Sequence, residues 1–272
     1  MMETTIKEIK RQAKERFAEY VKPYDMSNAK IALKAAHTYR VAEFCEDIAK
    51  SIGLGEEDVL IAWMCGMLHD ISRFEQVRRF NTFVDGESVN HAHLSCEILW
   101  GTESMPEDFV CTEKDSPEPG IIRDFIEDSS FDQLIRDAIW EHNNYRISEG
   151  YDERTLMFCN ILRDADKVDI FRVNTETPLC EIHNLPQEDF YTSEVTAEVM
   201  DSFLEHHCVL RALKKTAVDN VVGYTSLYWE LVYEKSRQLA KEQGYLKQLC
   251  ELPTKNKQAQ ECFEVIKMEL GF

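Results

Sequence analysis

A histidine and an aspartate stand side by side at the end of the longest apolar run of the chain. The stretch Ala62 to Phe74, AWMCGMLHDISRF, passes from apolar residues into His69 and Asp70, and Arg73 follows. Burying an imidazole and a carboxylate without partners costs on the order of several kcal/mol. The pattern therefore predicts that these two side chains hold a metal ion.

Other residues of metal-binding type lie near apolar stripes on other predicted helices. These are His37, His91, His142 and an aspartate within the segment RDADKVD, residues 163–169. Imidazole nitrogens combined with carboxylate oxygens suit Mn, Fe, Co, Ni, Zn or Mg rather than a thiolate site. Because the candidates come from helices distant in sequence, a metal bound by them would also hold the helices together.

Helical periodicity chooses between the two histidines of HAHLSCEILW but not between the aspartates. His91 and His93 lie about 200° apart around a helix, and His91 shares a face with apolar residues, so His91 is the predicted ligand. Asp164 and Asp166 cannot share a face, yet each has apolar residues at helical spacing. Periodicity leaves that choice open.

The elements that position these residues are predicted to be helices. Ten glycines and seven prolines are few for 272 residues, which favours an all-α fold over a turn-rich β architecture. Apolar spacing predicts helices in the segments 6–22, 28–50, 56–68, 91–98, 130–142, 153–173, 192–214, 226–243 and 257–270. Residues 101–128, rich in Pro, Gly and acidic residues, are predicted to form a loop or insertion, with a lid as the less favoured alternative.

Composition limits the partners and the compartment. With 31 basic and 50 acidic residues the formal net charge is −19, so nucleic-acid polymers and anionic membranes are not expected as partners. The nine cysteines form no CxxC motif, and the longest apolar run is ten residues, about half the ~20 needed to cross a bilayer. We therefore expect a cytoplasmic protein with reduced thiols and a small-molecule substrate; the sequence is compatible with a homo-oligomer.

The order of these residues resembles a known family. His37, then His69 with Asp70 after an apolar helix, then Asp166 in D-A-D-K-V-D, is similar to the H…HD…D signature of the HD-domain superfamily of metal-dependent phosphohydrolases. The resemblance covers about residues 28–175 and selects Asp166 over Asp164. It implies an all-α HD-domain helical bundle with the metal at its centre. We expect a single all-helical domain over 1–272, with a C-terminal helical extension over 176–272.

The resemblance also implies a reaction. Members of the family hydrolyse phosphomonoesters or phosphodiesters, often of nucleotides, with a metal-activated water. His37, His69, Asp70 and Asp166 would hold one divalent ion, His91 and His142 match the ligands of a second, and Asp70 would bridge the two. Asp70 and His69 are the predicted catalytic residues, and the predicted phosphate-binding residues are Arg73, Arg163 and Lys167. The cyclic-dinucleotide branch is not expected, because no G-Y-P motif follows.

Two alternatives remain open on the sequence. Some relatives use H…HD…H…H…D ligands for oxygen chemistry, so a di-iron oxygenase-like HD protein is the first. A catalytically inactive, metal-stabilised regulatory or binding module is the second. Metal identity and oxygen uptake separate the first from a hydrolase. For the second, replacing Asp70 would lower thermal stability without removing any activity.

Overall fold

The described part of the chain is built from helices alone. The computed structural model describes residues 2–101 and 120–272, and none of these residues lies in a strand, so the all-α prediction is confirmed. The helices are α1 (Met2–Val21), α2 (Ala29–Ser51), α3 (Glu56–Leu68), α4 (Arg73–Phe80), α5 (His91–Trp100), α6 (Asp132–Glu141), α7 (Glu153–Glu176), α8 (Leu179–His183), α9 (Gln187–Thr192), α10 (Ala197–Leu204), α11 (Ala217–Ser226), α12 (Glu234–Glu242), α13 (Tyr245–Cys250) and α14 (Lys257–Leu270).

The chain divides into two compact units, Met1–Ala165 and Asp166–Phe272, and the boundary falls within α7. The expectation of a single domain stays a prediction. The predicted insertion 101–128 lies largely outside the described residues, and so does its use as a lid. Its end, Ile121–Asp124, forms a short 3-10 helix.

In the first unit, α3 is the buried helix. Every residue from Val59 to Leu68 is buried, which explains why the sequence of this helix is apolar on all faces. At Gly66 the neighbouring helix α2 comes so close that an added Cβ would lie 2.6 Å from the Cα of Ala42. Glycine is therefore required there, and it brings the backbones of α2 and α3 together.

The end of α3 delivers the His-Asp pair into the interior. His69 caps the helix and donates its backbone N–H to the carbonyl of Cys65 at 3.0 Å. A tight turn follows, in which the backbone N–H of Arg73 donates to the carbonyl of Asp70 at 3.0 Å, and α4 begins at Arg73. The apolar helix thus ends where two polar side chains can point inward.

In the second unit, two of the predicted helices are broken. The predicted helix 192–214 is reduced to α10, because the chain turns at His206 with φ 59° and then forms a 3-10 helix at Arg211–Leu213. The predicted helix 226–243 begins as a 3-10 turn, and only its second half is α-helical. Between them lies α11, which was not predicted and starts at a capping box of Thr216 and Asp219. The predicted helix 257–270 is confirmed as α14.

None of the helices in 2–101 and 120–272 has the length and apolarity needed to cross a bilayer.

Candidate metal centre

Five of the predicted ligand residues come together in the first unit. His37 lies on α2, His69 and Asp70 follow α3, His91 opens α5, and His142 caps α6. They form two groups, His37–His69–Asp70 and Asp70–His91–His142, and within each group the possible ligand atoms lie within 4.8 Å of one another. All five side chains are buried. Asp70 belongs to both groups.

The two carboxylate oxygens of Asp70 face different histidines. Oδ2 lies 3.5 Å from Nε2 of His37 and 3.4 Å from Nε2 of His69. Oδ1 lies 3.5 Å from Nε2 of His91 and 3.9 Å from Nε2 of His142. A carboxylate that turns one oxygen to each of two imidazole pairs has the arrangement needed to bridge two cations.

Hydrogen bonds on the far side of three rings fix which nitrogen faces the centre. Nδ1 of His69 lies 2.8 Å from the carbonyl of Gly66, and Nδ1 of His142 lies 2.6 Å from the carbonyl of Ile139. Because a carbonyl oxygen can only accept, both Nδ1 atoms carry the proton in the neutral ring. Their Nε2 lone pairs then face Asp70, which is how outer partners orient metal-binding histidines.

The third ring is held by a residue that sequence reasoning missed. Asp85 accepts a hydrogen bond from Nδ1 of His91 at 2.6 Å and from Asn143 at 3.1 Å through Oδ2. Its Oδ1 accepts from Arg73 at 3.1 Å and from Gln76 at 3.0 Å. Burial raises the pKa of Asp85, but the hydrogen bond and charge of His91 and the charge of Arg73 outweigh it and hold that pKa well below the usual range.

Asp85 gave no distinct signal in the sequence. It lies in a polar connection, and Asp followed by Gly is a common turn dipeptide. That connection forms the 3-10 turn Asp85–Glu87, which leads into α5. The turn therefore does more than connect, since it carries the carboxylate that orients His91.

The charge of Asp70 is matched by two cationic side chains. Lys34 lies one helical turn before His37, and its Nζ is 2.6 Å from Oδ2 of Asp70. Nε of Arg73 lies 3.3 Å from Oδ1. Burial raises the pKa of Asp70, but the charges of Lys34 and Arg73 outweigh it and hold that pKa well below the usual range. Lys34 was also missed, although it shares the face of α2 that carries His37.

The predicted phosphate-binding residues have different surroundings. Arg73 lies at the centre, with Nη2 3.2 Å from Nε2 of His91. Arg163 is buried, and its guanidinium donates to the backbone carbonyls of Glu141, His142, Asn144 and Tyr145. These contacts hold the end of α6, where His142 lies. Lys167 is half-buried on α7, in the second unit. Phosphate binding by all three stays a prediction.

The remaining candidates lie as follows. His93 stacks on Trp140 with ring centroids 3.7 Å apart, while His91 joins the cluster, as helical periodicity predicted. Asp164 is fully buried, and Asp166, in the second unit, is half-buried on the same helix. The role of Asp166 as a metal ligand stays a prediction.

The donor set fits divalent metals. Four imidazoles and one shared carboxylate supply nitrogen and oxygen ligands, which suit Zn, Mn, Fe, Co or Ni, with Mg favoured least because it prefers oxygen ligands. Among residues 2–101 and 120–272, neither group of possible ligands includes a cysteine. The candidate donors are therefore nitrogen and oxygen atoms.

Comparison with known proteins gives one match. The family model of the HD domain matches residues 35–170, which is half of the chain and includes every residue of the two ligand groups. No curated protein and no solved structure matches the chain significantly. The resemblance drawn from His37, the His69–Asp70 pair and Asp166 is confirmed.

Proposed function

The chain belongs to the HD-domain family, and we propose that it is a metal-dependent phosphohydrolase acting on a nucleotide or another small phosphate ester. The observation that carries the proposal is the position of Asp70, whose two oxygens each face a pair of buried imidazoles. A metal ion that only stabilises the fold needs one complete set of ligands. Two-metal hydrolysis requires a second set that shares a ligand with the first.

His37, His69 and Asp70 would hold one ion, and His91 and His142, with Asp70 shared, would hold a second. The family resemblance adds Asp166 to the first set. A divalent ion bound there lowers the pKa of a coordinated water and polarises a phosphoryl oxygen.

The side chains of the protein supply the remaining requirements. Asp85 and the carbonyls of Gly66 and Ile139 hold three imidazoles with their Nε2 atoms toward the centre. Lys34 and Arg73 keep Asp70 ionised at neutral pH. The guanidinium of Arg73 is a planar donor that can grip phosphoryl oxygens, so it is the best candidate to orient the substrate. Burial of the ligands keeps bulk water away from the reacting atoms.

The proposal is tested with a panel of nucleotides and small phosphate esters, each assayed with Mn, Co, Ni, Fe, Zn and Mg. We expect phosphate release that depends on the added metal and is lost in Asp70→Asn, a variant of nearly the same shape. A metal-loaded, folded protein that releases no phosphate from any ester would overturn the proposal.

A di-iron oxygenase-like activity is the second candidate, because the two groups that share Asp70 could hold a pair of irons. Oxygen uptake by the iron-loaded protein, without phosphate release, would favour it. The same assays distinguish both enzymes from a regulatory or binding module. Such a module would be stabilised by metal but would show neither phosphate release nor oxygen uptake. We propose a small phosphate compound as the partner, with neither nucleic-acid polymers nor membranes; a homo-oligomer stays compatible with the sequence.

A further inference from the structure

The second unit contains a group of basic side chains around Tyr224 that the proposed function does not use. Nζ of Lys214 lies 5.6 Å from the centroid of the Tyr224 ring, and the Tyr224 hydroxyl lies 3.2 Å from Nε2 of His183. Burial and the charges of Lys214 and Arg211 lower the pKa of His183 to about 4. These four residues, His183, Arg211, Lys214 and Tyr224, are called the basic cluster below.

A glycine leaves the space in which Lys214 lies. Its side chain crosses α11 at Gly223, where an added Cβ would come within 2.5 Å of the Cε of Lys214. Burial, together with the charge of Arg211, lowers the pKa of Lys214. The fold thus keeps a half-buried ammonium group against an aromatic ring, where the positive charge of Arg211 also acts on it.

The basic cluster lacks a matching negative charge. Across residues 2–101 and 120–272, neither Lys214 nor Arg211 forms an ion pair, although the protein carries a net charge of −19. Asp219 is near enough to influence Lys214, but its carboxylate is already engaged. It accepts hydrogen bonds from Thr196 and from the backbone N–H groups of Lys215 and Thr216 at the start of α11. Two like charges that have no ion-pair partner among these residues favour the binding of an anion.

We propose that the basic cluster is a binding site for a phosphoryl group. A guanidinium can donate to two phosphoryl oxygens, and an ammonium supplies a compact charge beside it. His183 is neutral at pH 7 and can donate its Nε2 proton to the Tyr224 oxygen, which leaves the phenolic proton for the anion. The inference concerns the second unit alone and stands whether or not the metal centre hydrolyses phosphate.

Lys167 extends the same group. Burial raises the pKa of Cys208, and the charges of Lys167 and Lys214 both act against that rise. Both lysines therefore lie close enough to influence this thiol. Lys167, predicted from the sequence to bind phosphate, is a further cation of the second unit that could contact the proposed anion.

The test is a titration of the whole protein with inorganic phosphate, followed by ³¹P NMR at constant ionic strength. Excess chelator keeps metal out of the His-Asp centre. We expect saturable binding that chloride does not reproduce. Lys214→Met and Arg211→Gln should each weaken it about ten-fold or more, since each removes a charged hydrogen-bond partner. Lys215→Met is the matched control, because Lys215 is exposed and paired with Glu198 at 2.8 Å.

Two further variants keep the result decisive. Arg211 is exposed, so Arg211→Gln should fold even if Lys214→Met does not. Asp70→Asn should bind phosphate like the wild type. The inference is wrong if the wild type shows no saturable binding, if Lys215→Met weakens binding as much as Arg211→Gln, or if Asp70→Asn abolishes it.

Discussion

The Nε2 atoms of His91 and His142 lie 2.9 Å apart, while the Nδ1 atom of each ring faces an acceptor on its other side. Each Nδ1 therefore carries the proton in the neutral ring, so the two Nε2 lone pairs face one another, and Nη2 of Arg73 also lies 3.2 Å from the Nε2 of His91. Burial and the charge of Arg73 lower the pKa of His91, which disfavours a proton as the bridge. A cation held by these nitrogens would remove the repulsion, so the pair of rings could hold a metal.

Replacing the carboxylate behind His91 should weaken the metal centre without removing a ligand. We expect Asp85→Asn to lower metal affinity or phosphohydrolase activity about 10- to 100-fold, as other outer-partner changes do. The amide can present an N–H to Nδ1 of His91 and favour the wrong tautomer. Metal binding is measured by calorimetry on the chelated protein. Glu87→Gln, which changes an exposed carboxylate on the same turn, should match the wild type.

Removing the metal should lower stability through the same ligands. If the ion is present at about 100 times its dissociation constant, chelation should reduce the free energy of unfolding by about 2.7 kcal/mol. Thermal unfolding with and without chelator measures the change. In Asp70→Asn the chelator should have little further effect, because the residue shared by both ligand groups is altered. An equal effect in wild type and variant would mean that the ion binds elsewhere.

Substitution of Arg163 distinguishes a structural role, in which it stabilises the end of α6, from a role in binding the substrate phosphate. Its guanidinium donates to backbone carbonyls at the end of α6, so Arg163→Met should leave buried acceptors unsatisfied and lower the free energy of unfolding by about 1–3 kcal/mol. Urea unfolding of the chelated protein measures this loss. Arg73→Met gives the comparison: it should raise the KM for the phosphate ester in addition to lowering stability, because Arg73 also donates to Asp70 and Asp85. A variant at Arg163 with unchanged stability and a raised KM would instead support phosphate binding there.

Glu75 should make stability depend on pH. Its buried carboxylate accepts hydrogen bonds from Tyr24, Arg78 and Arg79. Burial raises the pKa of Glu75, but the hydrogen bonds from Arg78 and Tyr24 and the charge of Arg78 outweigh it, so the pKa falls below its usual value. A lowered pKa in the folded state stabilises the protein above the unfolded value of about 4.3, and that contribution is lost as the pH falls further.

Glu75→Gln should therefore cost about 1–3 kcal/mol at pH 7 and progressively less below about pH 4. Urea unfolding across this range measures both values. Glu43→Gln, at an exposed position on α2, is the matched control and should show no such dependence. A cost at Glu75 that does not change with pH would contradict the ionic explanation.

The sequence predicted which histidines come together better than it predicted the residues that support them. His37, His91 and His142 join the buried cluster because an apolar stripe fixes which face of a helix is buried, and the same stripe carries the histidine inward. Their role as metal ligands stays a prediction. Asp85 acts on His91 through a contact in three dimensions, for which one sequence offers no pattern. Lys34 shares the face of α2 that carries His37, but only the structure brings it to Asp70. The choice of Asp166 over Asp164 rested on the family resemblance alone.

The errors in the second unit have a different cause. Continuous helices were predicted over 192–214 and 226–243, where apolar residues keep helical spacing across breaks. The breaks depend on His206 adopting a left-handed backbone and on Asp219 binding both Thr196 and the start of α11. Side-chain caps formed by residues distant in sequence override local periodicity.

The close contact between α2 and α3 at Gly66 affects the metal centre without contributing a candidate ligand. His37 lies on α2 and His69 directly after α3, and the spacing of these helices is set where Gly66 meets Ala42. A methyl group at position 66 would separate the two imidazoles while leaving every ligand in the chain. Gly66, although it is not among the candidate ligands, therefore sets the distance between the two imidazoles. Replacing it with alanine offers a way to change which ion fits the centre.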